Sequence, residues 1–247
     1  MASTSETGHA KNVANFEDLI SFCNGYGPTF NPTKTAISLT ALSTKRSDAV
    51  SAMATVNTVL ATLTNAINQR EIIFAPLPKL VTRVVSAVAA SDVSKQIIAD
   101  VQTIARKLQG RRATPKKKDD PATPQNEAAN NISASQLSFD SQVENLDKLV
   151  QLLSAQAAYK PNETDLTVDA LKELLNNMRA ANTDVVNAAT PVSNARISRN
   201  NVLYHPTDGM LERAKDTKLY VKSVFGASSP QYKQVSKIKF GIPRNLR

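Results

Sequence analysis

From Leu39 onward the apolar positions run Leu39, Leu42, Ala49, Met53, Val56, Leu60, Leu63 and Ile67, alternating steps of three and four, with Arg46 where the seam turns polar. This spacing predicts a long amphipathic helix whose narrow stripe packs in coiled-coil fashion. Roughly thirty residues at about 1.5 Å each make a rod of about 50 Å. Many of its other positions are Thr, Ser, Asn or Val, mediocre helix formers, so packing must hold the rod together. Leu171, Leu174, Met178, Ala181, Val185, Ala188, Val192 and Ala195 carry the same alternation in the second half.

The two halves align beyond these stripes. FEDLISFCN (16–24) falls on LDKLVQLLS (146–154), FNPTKTAISLTAL (30–42) on YKPNETDLTVDAL (159–171), and IIFAP on VLYHP. Each half reads as a short helix, a Pro-containing connection, a long helix, a corner and a return helix. NPTKT and PNETD supply helix-start residues ahead of the stripes. At the corners Pro76 and Pro206 lack the N–H that a continuing helix needs, and Phe74 and Tyr204 are placed to cover the hairpin end. The first return helix is expected to carry Leu80, Val84, Val88, Ile97, Val101, Ile104 and Leu108 and to close at Gly110. The second should carry Leu211, Leu219 and Val224 before breaking at FGASSP.

Between the halves, GRRATPKKKDDPATPQNEAANN (110–131) is Pro-rich and charged, without large apolar residues. The expected organisation is a disordered start (1–12), a first helical repeat (13–110), a flexible charged linker (111–131), a second helical repeat (132–235) and a basic extended tail (236–247). The fold class is all-α: an elongated bundle of long antiparallel helices built from two related helical-hairpin repeats.

Composition narrows the chemistry. Only 7 of 247 residues are Gly, Trp is absent and aromatics make up 5%, which disfavours turn-rich β folds and glycine-built phosphate loops. The one cysteine cannot form an intramolecular disulfide, which fits a reducing compartment. No signal-peptide pattern opens the chain, and the longest apolar run, VVSAVAA (84–90), is short of a bilayer span, so a soluble cytoplasmic protein is expected. The net charge of +9 is concentrated: residues 213–247 hold nine basic side chains against Asp216, a net of +8.

LPKLVTRVVSAV, ARKLQGRRA, VSNARISRN and YVKSVFGASSPQYKQVSKIKF resemble a family of all-helical bacterial proteins seen mostly in Bacteroidota. The resemblance covers most of the chain outside the linker. It implies the helical fold and no activity.

Enzymatic chemistry finds little footing. His9 lies in the expected loose start, and His205, before a proline, reads as a surface or capping residue, so no metal ligand set is expected. Cys23 sits on the apolar side of a short helix and matches Leu153, the pattern of a buried structural thiol. Asp48, Glu71, Asp100, Asp169 and Glu173 are scattered over polar helix faces, and no phosphate-cradling motif occurs. Catalytic, cofactor and metal sites are accordingly all expected to be none. Arg46, Arg196 and Arg199 leave two readings open: pairing with an acid on a facing helix, or a bundle edge with the head in water.

The leading expectation is a non-enzymatic structural or scaffolding protein that self-associates or docks a protein partner with an acidic surface. Its partner-binding tail would comprise Lys233, Lys237, Ile238, Lys239, Phe240, Arg244 and Arg247, clipped onto an acidic groove of a neighbour. The alternative is a nucleic-acid-associated protein, contacting phosphates through Arg111, Arg112, Lys116, Lys117, Lys118, Lys215, Lys218 and Lys222. An enzyme with an interhelical site is the third and weakest class. No integral membrane contact is expected.

Overall fold

A computed structural model describes residues 8–111 and 137–243, and every regular element among them is helical. The α-helices are α1 (His9–Gly25), α2 (Leu39–Phe74), α3 (Leu77–Ala89), α4 (Lys95–Leu108), α5 (Phe139–Ser154), α6 (Val168–Tyr204), α7 (Met210–Phe225) and α8 (Pro230–Ser236). Short 3₁₀ turns at Gly27–Thr29, Thr35–Ile37 and Thr164–Leu166 lie in the connections. The chain is an all-α bundle of helices packed on one another. Of the expected linker, residues 112–131 lie outside the described residues.

The heptad rule explains the two long helices. On α2 the buried positions Leu42, Ala49 and Val56 are seven apart, and on α6 Ala181, Ala188 and Ala195 are too. The connections that lead into the two long helices are alike. A buried aromatic (Phe30, Tyr159) leads through a 3₁₀ turn with a buried Ile37 or Leu166 to an extended Ser38 or Thr167, and the long helix follows. Each hydroxyl accepts a hydrogen bond from the first turn: Ser38 from the N–H of Ala41 at 3.3 Å, Thr167 from that of Ala170 at 3.3 Å.

The chain divides into a terminal unit, residues 1–63 with 188–247, and a central unit, residues 64–187. Each has its own core. In the terminal unit Phe16, Leu19 and Cys23 of α1 pack with Leu42 of α2, Leu203 of α6, Met210 and Val221 of α7, and Val235 of α8. In the central unit Phe74 of α2 packs with Leu77 and Val88 of α3, Leu108 of α4, Leu149 of α5, and Leu171 and Met178 of α6. Each unit therefore combines the beginning of one half of the sequence with the end of the other.

Three local features differ from expectation. The first helix starts at His9, inside the stretch expected to be loose, because Asn12 and Val13 are already buried with Phe16 and fix its first turn. The first return helix is two helices: Ser94 caps a new start by accepting from the N–H of Ile97 at 3.4 Å. On α7 Leu211 is buried as expected, together with Met210, Ala214, Thr217 and Val221, whereas Leu219 is 63% and Val224 40% exposed. Thr217 can be buried there because its hydroxyl is satisfied within the helix, donating to the Arg213 carbonyl at 2.7 Å. Pro191 lies inside α6 without ending it, in line with a stripe that runs on through Val192 and Ala195.

Gly110 does close α4. It adopts φ 65°, its N–H donates to the Lys107 carbonyl at 3.3 Å, and the Arg111 N–H donates to the Arg106 carbonyl at 2.9 Å. That pair of bonds is a Schellman cap.

One helical stretch, residues 39–89, contains an 18-residue window of mean hydropathy 1.6, of which 28% is buried. By length and composition alone it could cross a membrane. The stretch turns at Ala75 and Pro76, however, and its α3 part faces Leu77, Val81, Val84 and Val88 into the central core with Lys79 and Arg83 exposed.

Candidate docking face

The basic residues singled out in the sequence come together mainly on α7, α8 and the segment after them. That segment, 238–243, is not helical, as Pro243 and the Ile/Lys alternation imply. It does not stand free. Ile238 and Phe240 are half-buried against the core of the terminal unit. Two asparagines of α1 hold its backbone: Asn12 donates to the Gly241 carbonyl at 2.7 Å and accepts from the Gly241 N–H at 3.1 Å, and Asn15 donates to the Lys239 carbonyl at 2.6 Å. Both side chains are buried, so these bonds satisfy groups that would be costly to leave unpaired.

The lysines sort into two kinds. Lys218 is half-buried; its ammonium donates to the Ile238 carbonyl and lies 5.0 Å from the centre of the Phe240 ring. Burial lowers its pKa. Lys215 pairs with Glu212 at 2.7 Å. Lys222 sits 5.8 Å from the centre of the Tyr232 ring, linking α7 to α8. Lys222, Lys233, Lys237 and Lys239 are exposed, and no acidic side chain pairs with them among the described residues. Beside them Tyr204, His205, Leu211, Lys215, Lys218 and Phe240 line a groove of about 600 Å³.

The remaining candidates lie elsewhere. Arg111 is exposed at the end of α4 in the central unit. Arg112, Lys116, Lys117, Lys118, Arg244 and Arg247 lie outside the described residues.

Arg46 satisfies both of its readings: it pairs with Glu17 of α1 at 2.7 Å, and its side chain remains 38% exposed. Arg196 is exposed, while Arg199 donates to the Asn200 side-chain oxygen at 3.1 and 2.8 Å. Arg213 reaches the carbonyls of Ala36 and Ala41 at 3.2 and 3.4 Å and so ties α7 to the start of α2.

Cys23 is buried, and desolvation pushes its thiol up to about 12. His9 meets the Tyr204 hydroxyl at 2.8 Å, and His205 pairs with Asp208 at 2.6 Å at the exposed corner. Asp48, Glu71, Asp100, Asp169 and Glu173 are all exposed. Among the described residues no three His, Cys, Asp or Glu side chains gather where a metal ion could be held.

Sequence reading missed the two asparagines. Their signal was available: Asn12, Asn15, Phe16, Leu19 and Cys23 share one helical face, and an amide on an apolar stripe needs a partner to be buried there. Comparison of the chain with family models, with curated proteins and with solved structures finds no match.

Proposed function

We propose that this protein is a non-enzymatic docking scaffold whose basic terminal-unit face receives an acidic protein surface. The observation that carries the reading is the group Lys222, Lys233, Lys237 and Lys239: exposed, near one another in sequence and fold, and without acidic partners among the described residues. Uncompensated like charges repel one another, and an acidic partner relieves that repulsion while steering encounter. Ile238 and Phe240 serve this face by anchoring the lysine-bearing segment to its own core.

Nucleic acid is the second reading, since the same lysines and Arg111 could neutralise phosphates. The aromatics beside them favour protein over a single strand. Phe240 packs on the core beneath Lys218, and Tyr232 lies half-buried under Lys222, so neither offers an open ring for base stacking.

The experiment is a pair of titrations of full-length, nuclease-treated protein, one with a poly-glutamate peptide and one with a single-stranded oligonucleotide, at two salt concentrations. The docking reading expects peptide binding that Lys222→Glu, Lys233→Glu and Lys237→Glu together abolish in a protein that still folds. Oligonucleotide binding alone, with a steep salt dependence, would move the assignment to nucleic acid. Light scattering on the same sample checks self-association, expected as a multiple of the 26.7 kDa chain mass.

A further inference from the structure

The two units carry comparable helix-and-connection contacts, and one of the positions at which they differ leaves a cavity. In the terminal unit Tyr220 of α7 leans against the connection before α2. Its ring meets Phe30 edge-on with centroids 5.3 Å apart, and its hydroxyl accepts a hydrogen bond from the Asn31 backbone N–H at 3.1 Å.

The register of the counterpart is fixed by burial. Met210, Ala214, Thr217 and Val221 on α7 have the same spacing as Leu77, Val81, Val84 and Val88 on α3. Ala87, one residue before Val88, therefore stands where Tyr220 stands, one residue before Val221. Lys160 and Pro161 follow the buried Tyr159 as Asn31 and Pro32 follow the buried Phe30. Where the terminal unit holds a phenol ring, the central unit has an open groove of about 540 Å³, with Ala87, Lys160, Pro161 and Leu166 among walls that are otherwise mostly polar. Arg83 is held at its rim by a two-pronged contact with Asp165, one arm at 3.1 Å.

We propose that this groove binds a phenol ring brought by another molecule, seated as Tyr220 is seated in the terminal unit. Ala87, Pro161 and Leu166 cover the faces of the ring, and the Lys160 backbone N–H donates to its oxygen. The ring does not come from a second copy of the described chain. All five tyrosines are buried or half-buried. The hydroxyls of Tyr26, Tyr159, Tyr204 and Tyr220 are already engaged, with Gln231, Leu166, Asn12 and Asn31. The proposal does not rest on the basic face, which belongs to the other unit.

The test is an NMR titration of the full-length, uniformly labelled protein with p-cresol, N-acetyl-tyrosinamide and N-acetyl-phenylalaninamide. Saturable shifts of the Lys160 amide and the Ala87 methyl are expected with both phenols. The phenylalanine analogue should bind about fivefold more weakly, the worth of one neutral hydrogen bond. Ala87→Tyr should fill the groove and remove the shifts, and Tyr220→Ala should add a second responding amide at Asn31. Tighter binding of N-acetyl-tyrosinamide than of p-cresol assigns the ring to a peptide, and the reverse order to a free phenol; both keep the site. Absence of shifts at saturating p-cresol overturns the proposal, as do shifts that survive Ala87→Tyr in a folded protein. Equal affinities for the tyrosine and phenylalanine analogues overturn it as well, even if the variant does not fold.

Discussion

Cys23 illustrates how far a single residue can be read. Its place on an apolar stripe opposite Leu153 in the second half marked it as structural, and it is fully buried with its thiol pushed up to about 12. Because the thiolate is the reactive form, the native protein is expected to leave a disulfide reagent unreacted near about pH 8 and to titrate one thiol only after denaturant is added. His9 was not legible, since its meaning depends on Tyr204, distant in sequence but 2.8 Å away. Burial, and then the nearby Arg199 charge, hold its imidazole below the ordinary 6.5. Above that value both folded and unfolded chains are neutral there, so His9 adds no pH dependence. As pH falls below it the unfolded chain takes up the proton first, and the folded state loses stability until the folded imidazole protonates too. Urea midpoints should therefore be lower at about pH 5 than at about pH 7.5, and His9→Gln, which keeps a polar partner for Tyr204, should shrink that difference.

Helices were readable wherever periodicity was long. The stripes of α2 and α6 were visible because a seven-residue spacing held over several turns is seldom produced by anything but a packed helix. Shorter helices were harder. On α7 Leu211, Leu219 and Val224 suggested a stripe, yet of these Leu211 alone is buried, beside Met210, Ala214, Thr217 and Val221. A stripe that passes through Ala214 and Thr217 loses to large exposed residues when position is judged by hydrophobicity alone. The split between α3 and α4 turned on one capping serine, a signal too brief to overrule the apolar pattern around it. Pro191 is the reverse case, a breaker that breaks nothing. It offers no N–H to the Asn187 carbonyl one turn earlier, a lost bond that normally costs about 3 kcal/mol in a helix interior. Since Pro191 is exposed, Pro191→Ala should restore the bond without losing packing, and equilibrium denaturation should show a gain of about 1–3 kcal/mol.

At the scale of the whole molecule, helix content and order could be read, but not which elements share a core. That depends on pairings between the halves, which local patterns do not encode. Two exposed ion pairs mark the pairing. Lys34, just before the Thr35–Ile37 turn, meets Asp216 of α7, whereas Asp165, in the Thr164–Leu166 turn, meets Arg83 of α3. Exposed pairs contribute little to stability. Their opposite sense matters more, because a first half paired with another first half would set Lys34 against Arg83. Residues 1–111 and 137–247 made as separate chains are thus expected to co-purify as a one-to-one complex, and neither alone to give the native thermal transition. Recovery of either half as a stable folded monomer would contradict the interleaved cores. The same interleaving sets an order in time. The first 63 residues leave the ribosome early, yet the core they belong to also needs Val235, Ile238 and Phe240 near the end of the chain. At about 5–20 residues per second, α1 waits on the order of ten seconds or more for its partners. During that interval Phe16 and Leu19 lack the α7 and α8 side chains that complete their core, so a helix synthesised early is packed late.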